Sequence, residues 1–250
     1  MSHWFRRVEP RPDAGVRLFC FPHAGGSAVF FQTWAKQISR DVELIAVQYP
    51  GRAERMAEPI IDDAPTLVRL VTSAILPLSD RPVALFGHSM GAIVAYEVAR
   101  SLQTLGAAPA HLFVSGHRAA GLPGRRYSEQ DDDALVGTLT WMGGTDAEVL
   151  ADPELREMVL PYVRGDLRLL DRYAHRPEPL LSVPITSIIG ADDEVESADL
   201  AAGWADLTSG AFAQRVLPGD HFYLVPYRDQ VIAEVESRLR DLTDRRVGRP

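Results

Sequence analysis

One cysteine, Cys20, is all the sequence offers in 250 residues. No disulfide can therefore form within the chain, and a disulfide-stapled scaffold is excluded. Cys20 lies in the apolar run Val16-Arg17-Leu18-Phe19-Cys20-Phe21, where it reads as a small buried hydrophobe rather than a nucleophile or metal ligand. Long apolar stretches are also missing, and nothing is long enough to span a bilayer. The first residues, Met1 to Arg7, have neither the apolar core nor the cleavage signature of a secretory leader. A cytoplasmic protein is the expectation. Positive charge is in deficit: the formal net charge is -8. A phosphate backbone or an anionic membrane would repel such a chain, so neither nucleic acid nor membrane is an expected partner.

What is present is ordinary for a folded protein, with 46% hydrophobic and 24% charged residues. The length fits one α/β domain over residues 1–250. Short apolar runs at 16–21, 42–49, 83–87, 111–116, 183–190 and 213–217 read as strands of a covered sheet. Helical patterns at 30–38, 64–75, 91–105, 197–207 and 228–242 alternate with them. That alternation predicts a doubly wound, mostly parallel sheet flanked by helices. Residues 124–181 break it, with short helices expected at 131–142, 146–150, 153–162 and 166–173 and no strand. Inserted between two strands, they would form a cap, or lid, over the carboxyl edge, where open α/β sheets bind ligands. Residues 245–250 read as a frayed tail.

The strongest chemical signal is Gly87-His88-Ser89-Met90-Gly91, placed between a buried strand and an amphipathic helix. A nucleophile on such a turn needs glycine on both flanks, because side chains there would clash. The helix that follows points its N-terminus at developing negative charge. Ser89 is therefore the candidate nucleophile. It needs a base, and seven histidines compete. His221 follows the last strand and comes after the serine and the acid in chain order, as this arrangement requires. His88 should point away from Ser89, His117 is placed to line a pocket, and His175 lies in or beside the cap. The acid should follow Gly190, where Asp192 and Asp193 are adjacent. Asp193 leaves two residues for the turn and is preferred, with Asp192 the alternative. The loop Pro22-His23-Ala24-Gly25-Gly26-Ser27 joins a strand to a helix. Such a loop and the residue after the nucleophile supply an oxyanion hole, here the backbone amides of Ala24 and Met90. His23, Gly25, Gly26 and Phe222 flank these groups and are candidate substrate contacts.

Together, Phe21 to Ser27, Gln48-Tyr49-Pro50-Gly51-Arg52 with Arg55, the serine turn, and Pro218 to Phe222 resemble the type II thioesterases of polyketide and nonribosomal peptide synthesis. The segments Trp141 to Thr145 and Leu160 to Asp166 are similar too. The resemblance implies an α/β-hydrolase fold and a triad of Ser89, Asp193 and His221. It further implies hydrolysis of acyl groups from the phosphopantetheine arm of acyl or peptidyl carrier proteins. No cofactor or metal is expected, since the pantetheine belongs to the substrate. A small-molecule carboxylesterase on the same triad, or a non-catalytic carrier-binding protein, are the other readings. Arg52 and Arg55 read as structural or as neighbours of the site's mouth. Arg118, Arg125 and Arg126 form a basic cluster that could meet an acidic carrier.

Overall fold

The computed structural model describes residues 3–144 and 147–247. Its centre is a seven-stranded sheet in the order β1-β3-β2-β4-β5-β6-β7. The strands are β1 (Phe5–Arg6), β2 (Val16–Phe21), β3 (Val42–Val47), β4 (Val83–His88), β5 (His111–Ser115), β6 (Ile185–Gly190) and β7 (Phe212–Leu217). All neighbours run parallel except β1, which pairs antiparallel with β3. Every residue of β2, β3 and β4 is buried, as both faces of a parallel sheet must be. The pleat sends Phe19 and Phe21 to one face, where they meet Leu67, Val71, Ile93 and Val98 of helices α2 (Ala64–Ile75) and α3 (Met90–Thr104). It sends Leu18 and Cys20 to the other, where Trp34 of α1 (Gln32–Gln37) and Val231, Val235 and Leu239 of α8 (Arg228–Val247) close the second core. Each such side chain contributes roughly 1.5–3 kcal/mol through burial.

The predicted alternation is found, with differences that have local causes. β1 escaped the sequence reading because two residues carry no periodicity; Phe5 and Arg6 pair with Val47 and Ala46. The 30–38 helix is a 3-10 turn, Ala28–Phe31, running into α1, and 197–207 is α7 (Ala198–Ala202) running into a 3-10 turn, Gly203–Leu207. Between β5 and β6 lie α4 (Asp132–Met142), α5 (Ala147–Ala151) and α6 (Pro153–Arg172). The sequence suggests two helices at 153–162 and 166–173; instead α6 runs unbroken through Pro161 and Gly165. The proline removes one backbone donor, but Leu160, Val163, Leu167 and Leu169 keep one face of the helix buried. Gly165 is small because Ile60 packs against it. These helices share a small core of Leu135, Leu139, Leu150, Leu160, Val163 and Leu167. The helix expected from Asp146 begins on a residue outside the described ones. Of the expected frayed tail, 245–247 continue α8 and 248–250 lie outside.

Cys20 is fully buried, and burial pushes its thiol well above the ordinary value. Among the described residues no helix is long and apolar enough to cross a membrane. His111, at the start of β5, stacks on Phe113 with ring centroids 4.3 Å apart and meets the Thr186 hydroxyl at 2.9 Å. Burial first, and Arg238 second, push its pKa from 6.5 down to about 4. A histidine held neutral when folded takes up its proton on unfolding, so stability falls as the pH drops from 6.5 towards 4. The full effect is on the order of 3 kcal/mol. Melting temperature measured across that window should fall, and His111→Asn should flatten part of the fall.

Candidate active site

β4 passes into α3 through Ser89 alone, which takes φ 53° and ψ -122°. Positive φ is strained for a residue with a side chain. Two features hold it there. The Ser89 amide donates to the Ser115 carbonyl at 2.8 Å. A Cβ at Gly87 would collide with the Gly91 carbonyl, and one at Gly91 with the Phe21 carbonyl. The strand and helix approach so closely that only glycine fits on either flank.

The turn aims the Ser89 hydroxyl at His221, whose Nε2 lies 3.1 Å from Oγ. On the other side of the ring, Nδ1 lies 2.8 Å from Asp193 Oδ2. The carboxylate accepts there, so Nδ1 carries the hydrogen and Nε2 offers its lone pair to the serine. Asp193 is itself fixed, because Oδ1 accepts from the amides of Val195 and Glu196, each at 2.9 Å. Asp192, the alternative, is exposed and faces elsewhere. Its Oδ2 accepts from the Gly219 amide at 3.2 Å, and its own amide donates to the Gly219 carbonyl at 2.9 Å. It splices the loop after β6 to the loop that bears His221. Asp220 accepts from the Phe222 amide at 2.9 Å and stays a loop residue.

The remaining histidines sort by their surroundings. His88 turns away from Ser89, with Nδ1 at 2.9 Å from Ser115 Oγ. That hydroxyl meets Tyr223 Oη at 2.6 Å, and Tyr223 donates to the Ile188 carbonyl at 2.9 Å. Burial, then electrostatic repulsion from the neighbouring His221 and His23 rings, holds His88 well below the usual imidazole range. Neutral at working pH, it backs His221 without competing for the proton. His23 is pushed down to about 4, chiefly by burial and next by His221, with a backbone hydrogen bond at Gly144 opposing. Its ring packs edge-on against Phe30 and Phe222 at 4.9 and 4.8 Å. His117 and His175 both line the cavity.

That cavity has a volume of about 570 Å³ and opens onto Ser89 and His221, within the usual size for a small-molecule site. Ile93, Leu139, Met142, Leu167 and Leu170 give it apolar walls, and His23 and Phe222 border it. Gly25 and Gly26 do not. The Gly26 amide donates back to the His23 carbonyl at 2.9 Å, and the Gly25 amide to Asp166 Oδ2 at 2.8 Å. Gly25, at φ 79°, presses against Val163 of α6. The two glycines shape the loop from behind the cavity wall. By contrast, among the described residues the amides of Ala24 and Met90 donate to no protein acceptor, and Met90 opens α3.

One participant, Asp166, ends the family-like segment Leu160 to Asp166 but is not singled out by the sequence as part of the site. Asp166 receives both the Gly25 amide and the Arg52 guanidinium. An aspartate within a helix some 140 positions away (|i−j| = 141) carries no spacing that would tie it to this loop. Of the basic cluster, Arg118 is engaged by Glu196 at 2.8 Å and the Val195 carbonyl at 3.0 Å, whereas Arg125 and Arg126 are exposed at the cavity mouth. Among the described residues no three His, Cys, Asp or Glu side chains gather as a metal would need.

Comparison with known proteins gives concordant results. Residues 16–239 match the model of the thioesterase domain. A probable cadicidin biosynthesis thioesterase of Streptomyces griseus is 40% identical over 239 residues, covering 95% of this chain and 66% of that protein. Thioesterase PikA5 of Streptomyces venezuelae is 39% identical over 253 residues, covering 99% of this chain and 90% of its own. The structure of the type II thioesterase BorB, from the borrelidin biosynthetic cluster, superposes with a TM-score of 0.87 at 37% identity, covering 94% of this chain and 97% of BorB.

Proposed function

The chain belongs to the thioesterase family, and from that premise we propose that it is a type II, editing thioesterase. It clears acyl groups from the phosphopantetheine arm of acyl or peptidyl carrier domains in a modular synthase. The observation that carries this reading is the hydrogen-bonded run Ser89–His221–Asp193 at the floor of an apolar cavity roofed by α4 and α6.

In the proposed cycle the pantetheine arm enters beneath the helices of residues 124–181, which act as the lid. His221 Nε2 takes the proton as Ser89 Oγ attacks the thioester carbonyl. Asp193 keeps the imidazole in the required tautomer and stabilises its positive charge. The carbonyl oxygen becomes an oxyanion, held by the amides of Ala24 and Met90, each donor contributing about 3 kcal/mol to the transition state. The pantetheine thiol leaves with the proton from His221. Water, deprotonated by His221, then attacks the acyl-serine and releases the acid. The cycle draws on no metal or cofactor. Arg125 and Arg126, exposed beside the cavity mouth, offer positive charge to an acidic carrier.

The discriminating experiment compares hydrolysis of one short acyl group from a phosphopantetheinylated carrier protein and from a simple oxygen ester. The expected result is faster release from the carrier, with Ser89 labelled by a fluorophosphonate. Rapid ester cleavage with an inert carrier would make this a general carboxylesterase. No labelling of Ser89 and no turnover would leave a carrier-binding protein without catalysis.

A further inference from the structure

The motif Gln48 to Arg52 supplies no group to the reaction, yet Tyr49 and Arg52 reach the oxyanion loop, and Gln48 ties the motif to itself and to the residue that follows that loop. Gln48 Oε1 accepts from the Ala28 amide at 3.1 Å, while its Nε2 donates to the Tyr49 and Arg52 carbonyls at 3.1 and 3.3 Å. Tyr49 donates to the Pro22 carbonyl at 3.4 Å, and Arg52 Nη1 to the Gly26 carbonyl at 3.4 Å. Arg52 then forms a two-pronged pair with Asp166 of α6, its Nη1 on Oδ2 and its Nη2 on Oδ1 at 2.7 Å. The same Oδ2 receives the Gly25 amide at 2.8 Å. Both side chains are only 3% exposed. The guanidinium also lies between the rings of Tyr49 and Tyr162, 5.4 and 5.0 Å from their centroids.

A desolvated pair of this kind adds little stability compared with apolar side chains of the same volume. What it does supply is geometry. Gly25 has no side chain to restrain its backbone, and the Asp166 carboxylate fixes the plane of the Ala24–Gly25 peptide, one residue from the Ala24 amide. We infer that Arg52 and Asp166 are positioning residues for the oxyanion hole, and that through them its alignment answers to the position of α6. A lid helix seated on the loop completes the hole; a lid helix displaced from it pulls the donor out of line. A displacement near 1 Å at such a donor costs about 100-fold in rate.

This inference rests on the assignment of the Ala24 amide as an oxyanion donor. The test uses Asp166→Asn and the double variant Arg52→Gln with Asp166→Asn. The double variant removes both buried charges together, and it carries the test should the single one fail to fold. Active sites are first counted by exhaustive fluorophosphonate labelling, so that kcat is expressed per competent serine. Hydrolysis of a nitrophenyl ester is then measured alongside inhibition by a trifluoromethyl ketone, which adds to Ser89 as an oxyanion, and by the corresponding unreactive methyl ketone. The expected result is a fall in kcat of about 10- to 100-fold with KM within about twofold. Trifluoromethyl ketone affinity should fall in parallel, and methyl ketone affinity should hold. A purely structural pair would lower melting temperature while leaving kcat per site and the trifluoromethyl ketone affinity at parental values; that outcome overturns the inference. Failure of the parent protein to label at Ser89 would instead overturn the functional reading beneath it.

Discussion

Ser89→Ala is expected to lower kcat by about four to six orders of magnitude, leaving a melting temperature near that of the parent. The reason is local. The methyl group keeps the left-handed backbone at φ 53° and the packing of Gly87 and Gly91, so the fold loses one hydroxyl and one hydrogen bond to His221. Chemistry loses the atom that His221 is placed to activate. Residual acceleration from the oxyanion amides and from substrate binding can still reach about 1,000-fold over water. A stopped assay with purified variant and an acylated carrier decides the matter, with carrier binding measured separately. Turnover within tenfold of the parent would mean that another group attacks the thioester.

The paired aspartates give the second large effect, because one geometry predicts opposite outcomes for neighbouring residues. In Asp193→Asn, the amide oxygen stays with the Val195 and Glu196 amides, each now at 2.9 Å from Oδ1. The new NH2 then faces Nδ1 of His221. That forces Nδ1 to accept and moves the ring hydrogen to Nε2, where it points at Ser89 and blocks proton removal. The loss in kcat should be about 10,000-fold, with KM little changed. Asp192→Asn keeps an acceptor for the Gly219 amide at an exposed position and should stay within about twofold. Parallel kinetics on the two variants settle which aspartate orients the base. A larger loss in Asp192→Asn would reverse the assignment.

The parts of the molecule legible in sequence were those encoded locally. β2, β4 and α3 announce themselves through apolar runs and helical spacing, and the serine turn through two glycines that steric crowding demands. Spacing favoured Asp193 but left Asp192 as an alternative. Both follow Gly190, and the choice depends on how the turn meets the Val195 and Glu196 amides, which is a property of three dimensions. That Gly25 and Gly26 stand behind the cavity wall was hidden for a related reason. A glycine pair signals close backbone approach, and here Val163 and Asp166 approach Gly25 while the His23 ring approaches Gly26. Asp166 stands in a family-like segment, but its role was hidden, because its partners Gly25 and Arg52 are remote in the chain. The continuity of α6 was hidden by Pro161 and Gly165, two residues that usually end helices; burial of one face overrides them here.

The burial of Cys20 has a practical corollary. Its sulfur sits inside the sheet with no exposure, and its thiol is held protonated, so it reacts slowly with alkylating agents and aromatic disulfides. This chain then adds little to the thiol that such a reagent detects in a reaction mixture, so a rise above the unreacted carrier's own signal reports pantetheine set free by turnover. Continuous colorimetric detection of released thiol can be run in the cuvette without inactivating the catalyst, and the carrier can be capped in its presence to stop the clock.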